Sequence, residues 1–134
     1  VELDPARDTL VNVNALGDPV PSARFMGGRE FSLLTDGQPQ EWIDDDVAAA
    51  LARQVLFLPS TQHGSGPGPH RDARWINAED WSPGQRFATM SFYLALMTST
   101  CLELIGGDGP TTVEGPFARN PLFVRMLAAA TERP

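Results

Sequence analysis

A chain of 134 residues makes one ordinary domain or part of a larger one, and its 42% hydrophobic and 20% charged residues give it material for a single core. All ten cationic residues are arginine, and the absence of lysine excludes a P-loop, which ends Gly-Lys-Ser/Thr, and Schiff-base chemistry, which needs an amine. With a net charge of -7 no basic stripe is available to neutralise phosphates, so nucleic acid is not an expected partner.

The N-terminus, Val1-Glu2-Leu3-Asp4-Pro5, has no initiator methionine and neither the basic nor the apolar region of a signal peptide, so the chain is read as starting at a processing site or a cut. Residues 9 to 15 alternate apolar and polar and predict a half-buried strand. Gly17-Asp18-Pro19 turns the chain, and Pro21-Ser22 is expected to keep it irregular. A second extended piece is expected from Arg29 to Leu34, closed by an Asp36-Gly37 turn, with a connector over residues 38–43.

Asp44-Asp45-Asp46 suits the first turn of a helix, where carboxylates meet orphan N–H groups and the positive end of the dipole. Val47, Leu51, Val55 and Leu58 follow on one helical face, and Pro59 stops it. Ser60 to Pro69, rich in Gly and Pro, reads as a loop, and residues 71–85 as irregular despite two tryptophans. The longest helix is predicted from about Pro83 or Gln85 to Ile105, with Phe87, Met90, Leu94, Met97, Cys101 and Leu104 on one stripe and Gly106-Gly107 at its end. Small Ser and Thr at its other positions predict a largely buried helix. Thr111-Thr112-Val113 reads as a strand, residues 114–119 as a tight loop, and Asn120-Pro121 as the N-cap and first residue of a further helix with Phe123, Leu127 and Ala130 on its apolar face. This order belongs to an α/β fold.

A glycine-containing loop feeding a helix N-terminus is a physical arrangement that holds anions, although many such connections bind nothing and pattern alone favours a structural role. His63 and His70, seven apart with no third ligand at metal spacing, read as surface histidines. Ser65 lacks the flanking glycines of a nucleophile elbow. Cys101, the single cysteine, cannot make an internal disulfide and reads as an inert core residue. No apolar run approaches the ~20 residues needed to cross a bilayer, so no membrane partner is expected and the chain reads as soluble and cytoplasmic.

The stretch from Thr112 to Ala130, Thr-Val-Glu-Gly-Pro-Phe-Ala-Arg-Asn-Pro-Leu-Phe-Val-Arg-Met-Leu-Ala-Ala-Ala, resembles the nucleotide-binding strand–loop–helix in the second lobe of the FGGY carbohydrate kinases. Gly17 to Phe31 resembles the region that opens the same lobe, and the helix from Phe87 to Ile105 falls between them as the family would have it. Within the family the chain resembles the L-fuculose kinase-like subset. The resemblance implies a ribonuclease-H-like (actin-like) lobe with a mixed sheet and packed helices, residues 1–134 being a fragment of the C-terminal, nucleotide-binding lobe. Such enzymes transfer the ATP γ-phosphate to a hydroxyl of a ketose or polyol with Mg2+, and the second lobe supplies the adenosine pocket. On this chain the resemblance places Glu114, Gly115, Pro116, Phe117 and Asn120 at the nucleotide, with Asn120 near the adenine and Arg119 as a candidate phosphate contact. It implies no catalytic or metal-ligating residue here, because the aspartate base, the sugar contacts and the first phosphate loop belong to the other lobe. One departure stands out: Glu114-Gly115-Pro116 replaces two or three consecutive glycines, and Pro116 removes a backbone donor. A part of an ATP-dependent sugar kinase is the leading expectation, inactive alone and prone to dimerise through exposed apolar surface. A stand-alone interaction or scaffold module is the alternative.

Overall fold

The computed structural model describes residues 2–36 and 40–134. After a short 3-10 turn at Pro5–Arg7, strands β1 (Thr9–Val13) and β2 (Pro19–Ala23) form an antiparallel ribbon with Thr9 opposite Ala23. The irregular course expected at Pro21-Ser22 is therefore a strand. The Arg24 N–H donates to the Asp8 carbonyl at 2.9 Å and the Asn14 N–H to the Asp18 carbonyl at 3.0 Å, so even-numbered residues carry the ladder bonds. Pro19 and Pro21 fall on the alternate positions, where the missing N–H would face outward.

Helix α1 (Gly27–Thr35) corrects the extended reading of Arg29 to Leu34. Its inward residues recur at helical spacing: Gly27 lies against the next layer, Glu30 is buried, and Phe31 and Leu34 pack on the core. The αL backbone of Asp36 ends the helix, while Gly37 and the first residues of the expected connector lie outside the described residues.

Helix α2 (Asp44–Ala52) starts at the acidic run as expected but ends well before Pro59. Gln54 adopts φ 53°, and the chain continues as strand β3 (Leu56–Leu58). Val55 and Leu58 keep the helical spacing of Val47 and Leu51, so periodicity could not show the break. Pairing did, because β3 runs antiparallel to β4 (Arg74–Ile76), with Phe57 opposite Trp75, within the segment expected to be irregular. The Gly/Pro loop between them is tied to the ribbon through Asp8, whose carboxylate accepts the Gly66 N–H and pairs with Arg24, both at 2.9 Å. His63 sits on this loop 3.5 Å from Asp72, both exposed, as surface histidines do.

Helix α3 (Pro83–Leu104) matches its predicted bounds. Ser82 accepts the Gln85 N–H at 3.0 Å and the Gln85 side chain accepts the Ser82 N–H, a reciprocal cap. Asp46 joins α2 to this cap, accepting the Ile43 N–H at 3.1 Å and the Ser82 hydroxyl at 2.5 Å. A Cβ at Gly84 would lie 2.1 Å from the Asp46 carboxylate, so a larger residue there would push that carboxylate off its bonds to Ile43 and Ser82.

Met90, Tyr93, Leu94, Ala95 and Met97 of α3 meet Phe57 of β3 and Phe123 and Leu127 of α4 (Pro121–Thr131) in the main core. Tyr93 donates to Glu30 at 2.6 Å in the buried layer under α1, and burial first, then the carboxylate, drives the phenol's pKa up. Burial also lifts the Cys101 thiol to about 11, which keeps it inert. Length and composition alone would let α3 cross a bilayer, but 56% of its apolar window is buried against the rest of the chain, as in a core helix. Thr111 to Val113 form no strand, since none of the described strands lies beside them. The fold is α/β, four helices with two small antiparallel sheets among the described residues.

Candidate functional site

The segment before α4 is built from its cap outward. Asn120 Oδ1 accepts the N–H groups of Leu122 and Phe123, both at 3.1 Å, and Pro121 supplies the first helical residue. Upstream, Pro116–Arg119 form a 3-10 turn. Gly115 opens that turn at φ 77°, ψ -158°, a backbone region that essentially only glycine enters, and a Cβ there would touch nothing. Conformation therefore demands this glycine, and crowding does not.

The cap amide is also wired into the core. Asn120 Nδ2 donates to Ser91 Oγ at 2.8 Å, and the Ser91 hydroxyl donates to the Phe87 carbonyl at 2.9 Å. Asn120 is 8% exposed and Ser91 fully buried, so three of the amide's hydrogen-bonding positions are held inside the protein. The two backbone donors fix the orientation of the amide, since a reversed group would set N–H against N–H.

Beside this cap lies a cleft of about 690 Å3, in the range that takes small ligands. Phe31, Trp42, Phe87 and Phe117 line it, with Gly28, Ser32, Gln40, Arg119 and Asn120 supplying backbone and polar groups. Phe31 meets Phe117 edge-on at 5.6 Å and Phe87 at 6.0 Å, and Phe117 leans on Phe123 at 5.2 Å. Aromatic edges and faces at these spacings form a stiff apolar wall. A second hollow of about 350 Å3 shares Gln40 and Phe87 with it and runs to Trp81 and Arg86. There the Arg86 guanidinium lies 6.0 Å from Trp75 and 5.7 Å from Trp81.

Of the residues expected from the sequence, Pro116, Phe117 and Asn120 line the cleft; Glu114 and Gly115 are exposed on its approach and do not. Arg119, the candidate phosphate contact, lines it with its side chain exposed. Gly28, Phe31, Ser32, Gln40, Trp42 and Phe87 were not anticipated. A helical reading of residues 27–35 would have set Gly27, Phe31 and Leu34 on one inward face, whereas Trp42 and Phe87 reach the cleft through packing between distant segments. Among the described residues no three His, Cys, Asp or Glu side chains gather as a metal site would need.

A family model described as "Carbohydrate kinase FGGY, C-terminal domain" matches residues 1–134. Among solved structures, the crystal structure of a carbohydrate kinase from Novosphingobium aromaticivorans matches with a TM-score of 0.82 and 44% identity over 98% of this chain. The match takes in 30% of that kinase, so this chain spans under a third of its length. No curated protein matches the chain.

Proposed function

The chain belongs to the C-terminal domain family of the FGGY carbohydrate kinases, and from that premise we propose that its aromatic cleft holds the adenosine part of ATP within a two-lobed sugar kinase. The single observation carrying this reading is the meeting of Phe31, Phe87, Phe117 and Trp42 around the capped start of α4. A purine needs apolar faces to stack on and a few fixed polar groups at its edge, and the cleft offers both. Arg119, exposed at its margin, is a cation that a phosphate chain could reach.

The acceptor in this reading is a hydroxyl of a ketose or related sugar, held mainly by the other lobe. Phosphoryl transfer is mostly positioning and charge stabilisation, so one side of a cleft supplies binding and little rate. The described residues do not gather a Mg2+ site, and no step is assigned to the ion on this chain.

Titration of the chain with ADP, followed by backbone and side-chain NMR shifts, tests the reading. Saturable shifts concentrated at residues 116–120, Phe31 and Phe87 are expected. Shifts centred elsewhere, or none at millimolar ADP, would overturn it. In a coupled assay with ATP and a ketose, this chain alone is expected to transfer no phosphoryl group.

A further inference from the structure

Ser91 is the one fully buried polar residue of α3 that reaches across to the cleft. Its hydroxyl has a single hydrogen, and that hydrogen goes to the Phe87 carbonyl at 2.9 Å. The oxygen is thereby left as an acceptor, and Asn120 Nδ2 donates to it at 2.8 Å. The chain of bonds is directional, from Asn120 N–H to Ser91 O–H to Phe87 C=O. Both ends of it belong to residues that line the cleft, while Ser91 itself does not.

We propose that Ser91 is a positioning residue for the nucleotide cleft: it locks the Asn120 amide so that the cap residue presents one face to the ligand. This rests on the reading of the cleft given above. Without Ser91 the Asn120 oxygen stays pinned by two backbone N–H groups, but the nitrogen end loses its buried acceptor and is free to rock. A side chain held at one end pays an ordering cost when a ligand binds, and affinity falls by that cost.

Ser91 also makes an ordinary back-bond within its helix, so a variant must separate that loss from the loss of the lock. Thr89 provides the control: it is also buried on the same helix, donates from Oγ1 to the Gln85 carbonyl at 3.0 Å, makes no hydrogen bond to Asn120 and does not line the cleft. Ser91→Ala, Thr89→Ala and the parent chain are compared by ADP calorimetry, by thermal melting and by the Asn120 side-chain amide signals in 15N NMR. In the parent, those signals are expected to exchange slowly with solvent. Ser91→Ala is expected to weaken ADP about fivefold to tenfold and to speed exchange of the Asn120 amide, whereas Thr89→Ala lowers the melting temperature with ADP affinity unchanged.

If Ser91→Ala binds ADP as tightly as the parent, or if Thr89→Ala weakens it as much, the positioning role is wrong while the cleft stands. If the parent binds no ADP, the cleft reading itself falls, and the role of Ser91 toward a nucleotide falls with it. Should Ser91→Ala fail to fold, Ser91→Cys decides the matter. It keeps the size of the side chain and adds no charge but replaces the hydroxyl oxygen with a sulfur that accepts weakly, so weaker ADP binding at retained helicity is expected, and unchanged affinity would overturn the proposal.

Discussion

Of the apolar surfaces that the described residues turn to solvent, two are built on opposite principles. The cleft beside α4 is concave, walled by aromatic rings in mutual contact, and backed by a buried chain of hydrogen bonds through Ser91. The β1–β2 ribbon presents Val11 and Val13, 62% and 66% exposed, beside Pro19 and Pro21, with no polar group fixed among them. Both edges of the ribbon are also blunted. Pro19 and Pro21 remove outward donors from β2, while on β1 the Thr9 N–H is taken by the Asp4 carbonyl and the Val13 N–H by the Asn12 side chain. Apolar exposure alone therefore says little about function. A concave wall whose polar edge is immobilised from behind suits a ligand, and a flat face without such anchoring does not.

Five substitutions would break or sharpen this contrast. Phe123→Ala, behind the cleft wall and 6% exposed, removes the ring on which Phe117 leans; a loss of about 3–5 kcal/mol in denaturant unfolding is expected, with the cleft lost as well. Gly115→Ala forces a side chain into glycine-only backbone and should cost about 1–3 kcal/mol, visible as a lower melting temperature and weaker ADP binding. Asp8, at the root of the ribbon, gives a pH test. Burial pushes its carboxyl up, but Arg24 and the Gly66 N–H outweigh that and hold it below the ordinary 3.8. Its contribution to stability is thus present above pH 3.8 and lost as pH falls through the lower folded value, and Asp8→Asn should flatten that acid limb of the melting profile. Smallest of all, Val11→Thr and Val13→Thr should each change stability by less than about 0.5 kcal/mol and leave ADP affinity alone. A large loss from either valine would mean the ribbon face is anchored after all.

Helices α3 and α4 were legible because their caps are local signals: Ser82 with Gln85 three residues on, and Asn120 before Pro121. Helix α1 was not, because Gly27-Gly28 at its start and no capping side chain leave it held by burial against α3, which no local pattern displays. Strand β2 was hidden by its prolines, whose tolerance depends on the parity of their pairing with β1. Strands β3 and β4, three residues each, exist through their mutual pairing and through Phe57 against Trp75 at 4.4 Å. In the cleft, Pro116, Phe117 and Asn120 were readable as one short stretch. Phe31, Trp42 and Phe87 join them only through tertiary packing between segments distant in the chain.

The placement of the three tryptophans has an optical consequence. Trp75 and Trp81 meet edge to face at 4.4 Å beside the Arg86 guanidinium, an arrangement that couples their near-ultraviolet transitions and reports whether the tertiary fold is intact. Trp42 stands apart from that pair, on the wall of the cleft. The domain thus carries an intrinsic dichroic signal for folding, and under the proposed reading a nucleotide in the cleft is expected to change that part of the emission that comes from Trp42.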